Sequence, residues 1–169
     1  MSEICAVARV HRDVEVIDLD LEYEDTTYSV TEVLPGLFIS DMYHAQDRKE
    51  ISSRNILSIV NITDDVPTPF EDVEYLRVPI KDNISVKIST FFEQTFDFID
   101  DARKKGGVLV HCGHGISRAP TIVAAYLMKK YKLGYEQALE SIRIKRHGID
   151  PNFSFMIALF NLSKEIFSE

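Results

Sequence analysis

The chain has 169 residues, 45% hydrophobic and 27% charged, with 27 acids against 19 lysines and arginines and a formal net charge of −8. That length suits one domain burying about two-thirds of its unfolded surface, and the acidic balance excludes the basic stripe of a nucleic-acid binder and the polybasic patch of a membrane-surface protein. Two cysteines, Cys5 and Cys112, exclude a disulfide framework and point to a reducing compartment, cytoplasmic or shared between cytoplasm and nucleus.

Residues 1–30 hold eight acids against Arg9 and Arg12, so most of the negative charge lies there. We read them as an acidic N-terminal extension and 31–169 as the folded domain. The start lacks the long apolar core of a signal peptide, and Ser2 stands where myristoylation needs glycine. Val14–Leu21 (VEVIDLDL) alternates apolar and acidic residues, the period of an edge strand, while its acidity equally suits disorder.

Val33–Ser40 (VLPGLFIS) predicts a turn into a first strand, and Asp41–Ser52 a short helix. Asn55–Ile62 (NILSIVNI) is β-rich and suited to the centre of a sheet. Thr63–Glu71 reads as a loop, and Val73–Ile80 as a further strand ending at Lys81-Asp82-Asn83. Over Val86–Lys104, Ile88, Phe92, Phe96, Ile99 and Ala102 recur at helical steps, with Ser85 as the expected cap. Gly107–Val110 is a short apolar strand, His111–Ser117 a tight loop, and Ala119–Met128 a helix too uniformly apolar to lie on the surface.

Gly134 breaks the pattern, and Tyr135–Arg146 returns to helix with Ala138 and Ile142 inward. Its basic end (Arg143, Lys145, Arg146) complements the negative helix terminus. Asp150 and Pro151 predict the N-cap and first position of a last helix burying Phe153, Ile157, Phe160 and Phe167. The fold class is α/β: one mostly parallel twisted sheet of four or five strands, helices on both faces, and an anion-binding loop between a central strand and a buried helix. Ligands of such sheets sit at the carboxyl ends of the strands.

The stretch from Gly107 to Tyr131, GVLVHCGHGISRAPTIVAAYLMKKY, carries the chemistry. A strand feeding a glycine-containing loop at a helix N-terminus gathers free N–H groups and the positive dipole end. Oriented N–H dipoles there favour a cysteine as thiolate, the nucleophilic form. Arg118, five residues after Cys112, can return over the loop mouth and grip two phosphate oxygens at once. Gly113 and Gly115 permit close backbone approach, and the run Gly113, His114, Gly115, Ile116, Ser117 supplies the amide cradle. A metal site from His111, Cys112 and His114 is disfavoured, because adjacent ligands cannot easily face one ion and no second pair has zinc spacing. No metal and no cofactor is expected.

The segments HCGHGISR, VLVHC, SRAPT and AAYLM resemble the signature of the cysteine-dependent protein phosphatases, and in particular the small dual-specificity branch of the protein tyrosine phosphatase superfamily. The resemblance runs from about Leu34 to Phe167. It implies that Cys112 is the nucleophile, that Arg118 and the loop bind the phosphoryl group, and that Asp82, thirty positions earlier, is the general acid. His111, just before the cysteine, is expected to support the cradle by a hydrogen bond and to tune the thiolate. The substrates implied are phosphoproteins at tyrosine and at serine or threonine, with a kinase as one candidate partner. The acidic charge adds the expectation of no nucleic acid and no membrane, and the oligomeric state is open, with a monomer as the default.

Two positions depart from the family's commonest pattern. His114 stands where a small residue is usual, and Ala119 stands where a hydroxyl residue usually follows the arginine. In the family that hydroxyl helps the sulfur leave the phosphocysteine. A phosphoresidue-binding module with little turnover is therefore an alternative, as is a lipid or RNA phosphatase, which the acidic surface disfavours.

Overall fold

The computed structural model describes residues 29–168, so Cys5, Val14–Leu21 and nearly all of the acidic extension lie outside the described residues. Five strands make one sheet in the order β1 (Thr31–Leu34), β2 (Leu37–Ser40), β5 (Gly107–His111), β3 (Ile56–Asn61), β4 (Glu74–Arg77). β1 and β2 pair antiparallel, and the other three pairings are parallel. β5 is the middle strand and all five of its residues are buried, as a continuous apolar run covered on both faces requires. Val108 and Val110 join the larger apolar cluster, and Leu109 between them joins the smaller one.

Five α-helices accompany the strands among the described residues: α1 (Arg48–Ser53), α2 (Phe92–Lys105), α3 (Arg118–Tyr131), α4 (Tyr135–Arg143) and α5 (Phe153–Phe167). Helices α2 to α5 enclose the larger cluster on one face of the sheet. α1 and a 3-10 turn at His44–Gln46 cover the smaller cluster on the other through Ile51 and Ala45. α3 is buried at ten consecutive positions, Ala119–Met128, because β5 and β2, α2, α4 and α5 surround it. Pro120 falls in its first turn, where a missing N–H costs no intrahelical bond. The α/β expectation and the mostly parallel five-stranded sheet are therefore borne out.

Several local expectations are corrected. Val33–Ser40 is a hairpin and not a lead-in, because Pro35-Gly36 reverses the chain, with Gly36 at φ 76 and its N–H donating to Glu32. Asp41–Ser52 contains the 3-10 turn and then α1, whose cap is Asp47. β4 spans only Glu74–Arg77 of the expected Val73–Ile80. Ser85 caps nothing: its N–H and hydroxyl both donate to Asn83 Oδ1, closing a local turn, and α2 begins at Phe92 after a 3-10 segment, Ile88–Phe91.

α4 ends at Arg143, and Arg146 is fully buried beyond it, far from the solvated helix end expected. The N-cap of α5 is Asn152 and not Asp150, since Asn152 Oδ1 accepts from Phe155 N–H at 3.1 Å. The buried face of α5 is Phe155, Leu159 and Leu162, while Phe153, Ile157, Phe160 and Phe167 are exposed. This helix is apolar around most of its circumference, so periodicity alone could not choose the inward face.

Candidate active site

Cys112 follows β5 directly, and His111 before it pairs in register with Ser40 of β2 and Asn61 of β3, at the carboxyl ends of the parallel strands. The Cys112 side chain is buried, and Sγ accepts from the Ala119 N–H at 3.5 Å. Ala119 is the second residue of α3, so the sulfur faces the positive end of that helix. The Ser117 carbonyl is turned into α3, accepting from Thr121 N–H and hydroxyl.

The Arg118 side chain folds back over this loop. Nη1 donates to the Ile80 carbonyl at 2.9 Å, and a Cβ added at Gly113 would sit 3.2 Å from Nη2. Arg118 Nε is buried with no hydrogen-bond partner in the protein. An unpaired buried donor costs about 1–3 kcal/mol, a cost that an anion oxygen in the loop would relieve.

Asp82 is exposed, yet its carboxylate is held at two points. Asp82 Oδ1 accepts from Ser117 Oγ at 3.0 Å and from Asn152 Nδ2 at 2.7 Å. Asn152 also donates its own N–H to Ser117 Oγ at 3.0 Å. A sequence separation of 35 residues thus closes to a direct contact between Asp82 and Ser117 of the loop. The hydroxyl of Ser117 is engaged on both sides, and that engagement directs it toward Asp82 and away from the sulfur.

His111 is buried, and its Nδ1 faces the Cys112 carbonyl at 3.3 Å, which selects the Nδ1–H tautomer. Burial pushes its pKa down to about 4, outweighing the Cys112 carbonyl and the Asp41 charge, which act the other way; Arg77 and Arg118 add to the depression. The imidazole is therefore neutral near pH 7. Between pH 6.5 and about 4 the unfolded chain takes up a proton that the folded one refuses, so stability rises with pH across that window. We expect urea unfolding to show a loss of ~3 kcal/mol on acidification through it. A His111→Gln variant should lack this component.

Three neighbours of the loop were not singled out from sequence. Asp41 is buried, and its Oδ1 accepts from the N–H groups of Tyr43 and His44 and from His44 Nδ1. That turn lays the next backbone group, Met42 N–H, against the Gly113 carbonyl at 3.0 Å. Asn152 had a legible signal, a good N-cap residue just after Pro151. Arg146 had none, because a basic residue after a helix usually faces water. The His114 side chain is exposed, and among the described residues no three His, Cys, Asp or Glu side chains gather as a metal site.

Residues 37–165 match the family described as "Dual specificity phosphatase, catalytic domain". The chain is 36% identical to human dual specificity protein phosphatase 1 and 38% identical to human dual specificity protein phosphatase 4, each over 137 residues and 80% of this chain. Those stretches are 37% and 35% of the relatives' own lengths, so the chain spans little more than a third of the proteins it matches. The crystal structure of a variant of human DUSP28 superposes with a TM-score of 0.79 at 25% identity, covering 82% of this chain and 97% of that one. The chain belongs to the dual specificity phosphatase family.

Proposed function

We propose that this chain is a cysteine-dependent phosphoprotein phosphatase acting on phosphotyrosine and on phosphoserine or phosphothreonine. The observation that supports it most is the contact of Asp82 with Ser117, which sets a carboxyl group beside the loop that holds a buried thiol and Arg118. Cys112 Sγ attacks phosphorus while the bond to the leaving oxygen breaks, and Asp82 gives that oxygen a proton. Arg118, with its unpaired Nε, and the loop amides of Gly113, His114, Gly115, Ile116 and Ser117 hold the phosphoryl oxygens. A water then gives its proton to the Asp82 carboxylate and attacks phosphorus, the P–S bond breaks, and phosphate leaves.

Nucleophile, clamp and acid are all groups of the chain, so the scheme assigns no step to a metal. Phosphoproteins, kinases among them, are the proposed partners, and a free catalytic thiol suits the reducing cytoplasm and nucleus. No helix among the described residues is long and apolar enough to cross a membrane.

Ala119 sets the expected kinetics. Forming phosphocysteine asks nothing of position 119 but its N–H, whereas breaking P–S generates a thiolate that a hydroxyl donor would stabilise. Ser117 Oγ is committed to Asp82 and Asn152, so the loop offers no substitute from that residue. With EDTA present, an aryl phosphate should give a burst of leaving group close to one per active site and then a slow steady rate. Ala119→Ser should raise the steady rate by ~10–150-fold and shrink the burst. Acid quench and peptide mapping should find phosphate on Cys112, and less of it in the serine variant. A native protein that binds oxyanion but shows neither burst nor turnover would favour the binding-module reading.

A further inference from the structure

Every carbonyl of the loop from Cys112 to Ser117 accepts a hydrogen bond. Cys112 O takes His111 Nδ1 at 3.3 Å, Gly113 O takes Met42 N at 3.0 Å, and Ile116 O takes Asp150 N at 2.8 Å. The two carbonyls at the apex belong to one side chain: Arg146 Nη2 reaches His114 O at 3.3 Å and Nε reaches Gly115 O at 2.9 Å. Arg146 is 0% exposed, and its Nη1 donates to Ser29 O and Thr31 Oγ1, both at 2.9 Å.

In a planar trans peptide the C=O and the next N–H point in opposite directions. Carbonyls 114 and 115, drawn to a guanidinium behind the loop, therefore turn the N–H groups of Gly115 and Ile116 the other way. Gly115, at φ 68, supplies the left-handed step that lets successive N–H groups converge on one anion. A Cβ at Gly115 would lie 2.5 Å from Arg146 Nη2 and 2.7 Å from Ser40 O, so backbone and guanidinium are in close contact. Turns of this kind differ from their alternatives by the flip of one peptide, and a flipped unit would present oxygen to the anion.

We propose that Arg146 is a positioning residue of the anion cradle: its buried guanidinium, clamped on the His114 and Gly115 carbonyls, holds the loop with its amides facing the phosphoryl group. It touches no substrate and acts through the loop. The proposal rests on the phosphatase reading only for the identity of the anion as phosphoryl. Lysine cannot replace the fork, because an ammonium lacks the planar donors that span two carbonyls at fixed angles.

The test measures inorganic tungstate affinity by calorimetry, urea stability, and kcat/KM on an aryl phosphate, for native protein, Arg146→Lys, Arg146→Met and Leu159→Ala. Leu159 is fully buried in α5 and opens a core cavity when truncated, which makes it the control for lost stability alone. Tungstate affinity and kcat/KM should fall roughly tenfold to a hundredfold in both Arg146 variants, the usual scale for partners that orient a binding group. Leu159→Ala should lose stability and keep native affinity. Arg146→Lys retains charge and bulk and decides the matter if Arg146→Met does not fold. Native affinity in folded Arg146→Lys, or affinity lost in Leu159→Ala in proportion to stability, overturns the proposal. Native protein that binds tungstate without hydrolysing aryl phosphate would overturn the phosphatase reading and leave Arg146 its role, whereas failure to bind tungstate would overturn both.

Discussion

Replacing Cys112 by serine is expected to reduce hydrolysis of an aryl phosphate below about 1% of the native rate while inorganic tungstate still binds. The first half follows from the chemistry: a serine hydroxyl in the same place is almost wholly protonated at neutral pH and forms no thiophosphate bond. Losses on removing a catalytic nucleophile reach ~10⁶-fold, so 1% is a lenient limit. The second half follows from the structure. Sγ touches the start of α3 through the Ala119 N–H, whose bond an oxygen can also accept, and the carbonyls of Gly113, His114, Gly115 and Ile116 are held by Met42, Arg146 and Asp150. Steady-state assay and calorimetry on one preparation check both halves. Residual turnover above about 1% would remove Cys112 from its role, and loss of tungstate binding would show that the sulfur also shapes the cradle.

Asp82→Ala should distinguish substrates by their leaving groups. A phosphotyrosine peptide expels a basic oxygen that needs a proton, and a positioned acid there is typically worth ~10²–10⁴-fold. An activated aryl phosphate, whose leaving oxygen is stable as an anion, should lose far less. Asp82→Asn refines the comparison, since an amide oxygen can still accept from Ser117 Oγ and Asn152 Nδ2. It keeps the placement and removes only the proton, so it should match Asp82→Ala on the peptide. Equal losses on both substrates would assign Asp82 a structural role. Recovery in Asp82→Asn alone would do the same.

Sequence showed the sheet, the loop and the buried helix because each rests on a local pattern. GVLV is too apolar for anything but a covered strand, and Ala119–Met128 too apolar for a surface helix. Cys112, Arg118 and the cradle residues stand at fixed spacing within eight positions. What stayed hidden depends on contacts between distant segments. Arg146 reads as a solvated charge until the carbonyls of His114, Gly115 and Ser29 are found around it. The inward face of α5 could not be read because both faces are apolar, and the choice is made by what the helix packs on. Ser85 failed as a cap because its neighbour Asn83 offered a nearer partner.

The two ends of the sheet are guarded by charge. On β1, Glu32 is the one exposed residue, and β4 at the opposite rim exposes Glu74 and Arg77, with Glu74 paired to Lys105 at 3.1 Å. Extending the sheet by another chain would strip water from these groups, a common way for natural proteins to prevent edge-to-edge aggregation. The adhesive surface lies instead on α5, where Phe153, Ile157 and Phe160 share one exposed apolar side. Among the described residues, self-association at high concentration is thus expected through the last helix and not through the strands.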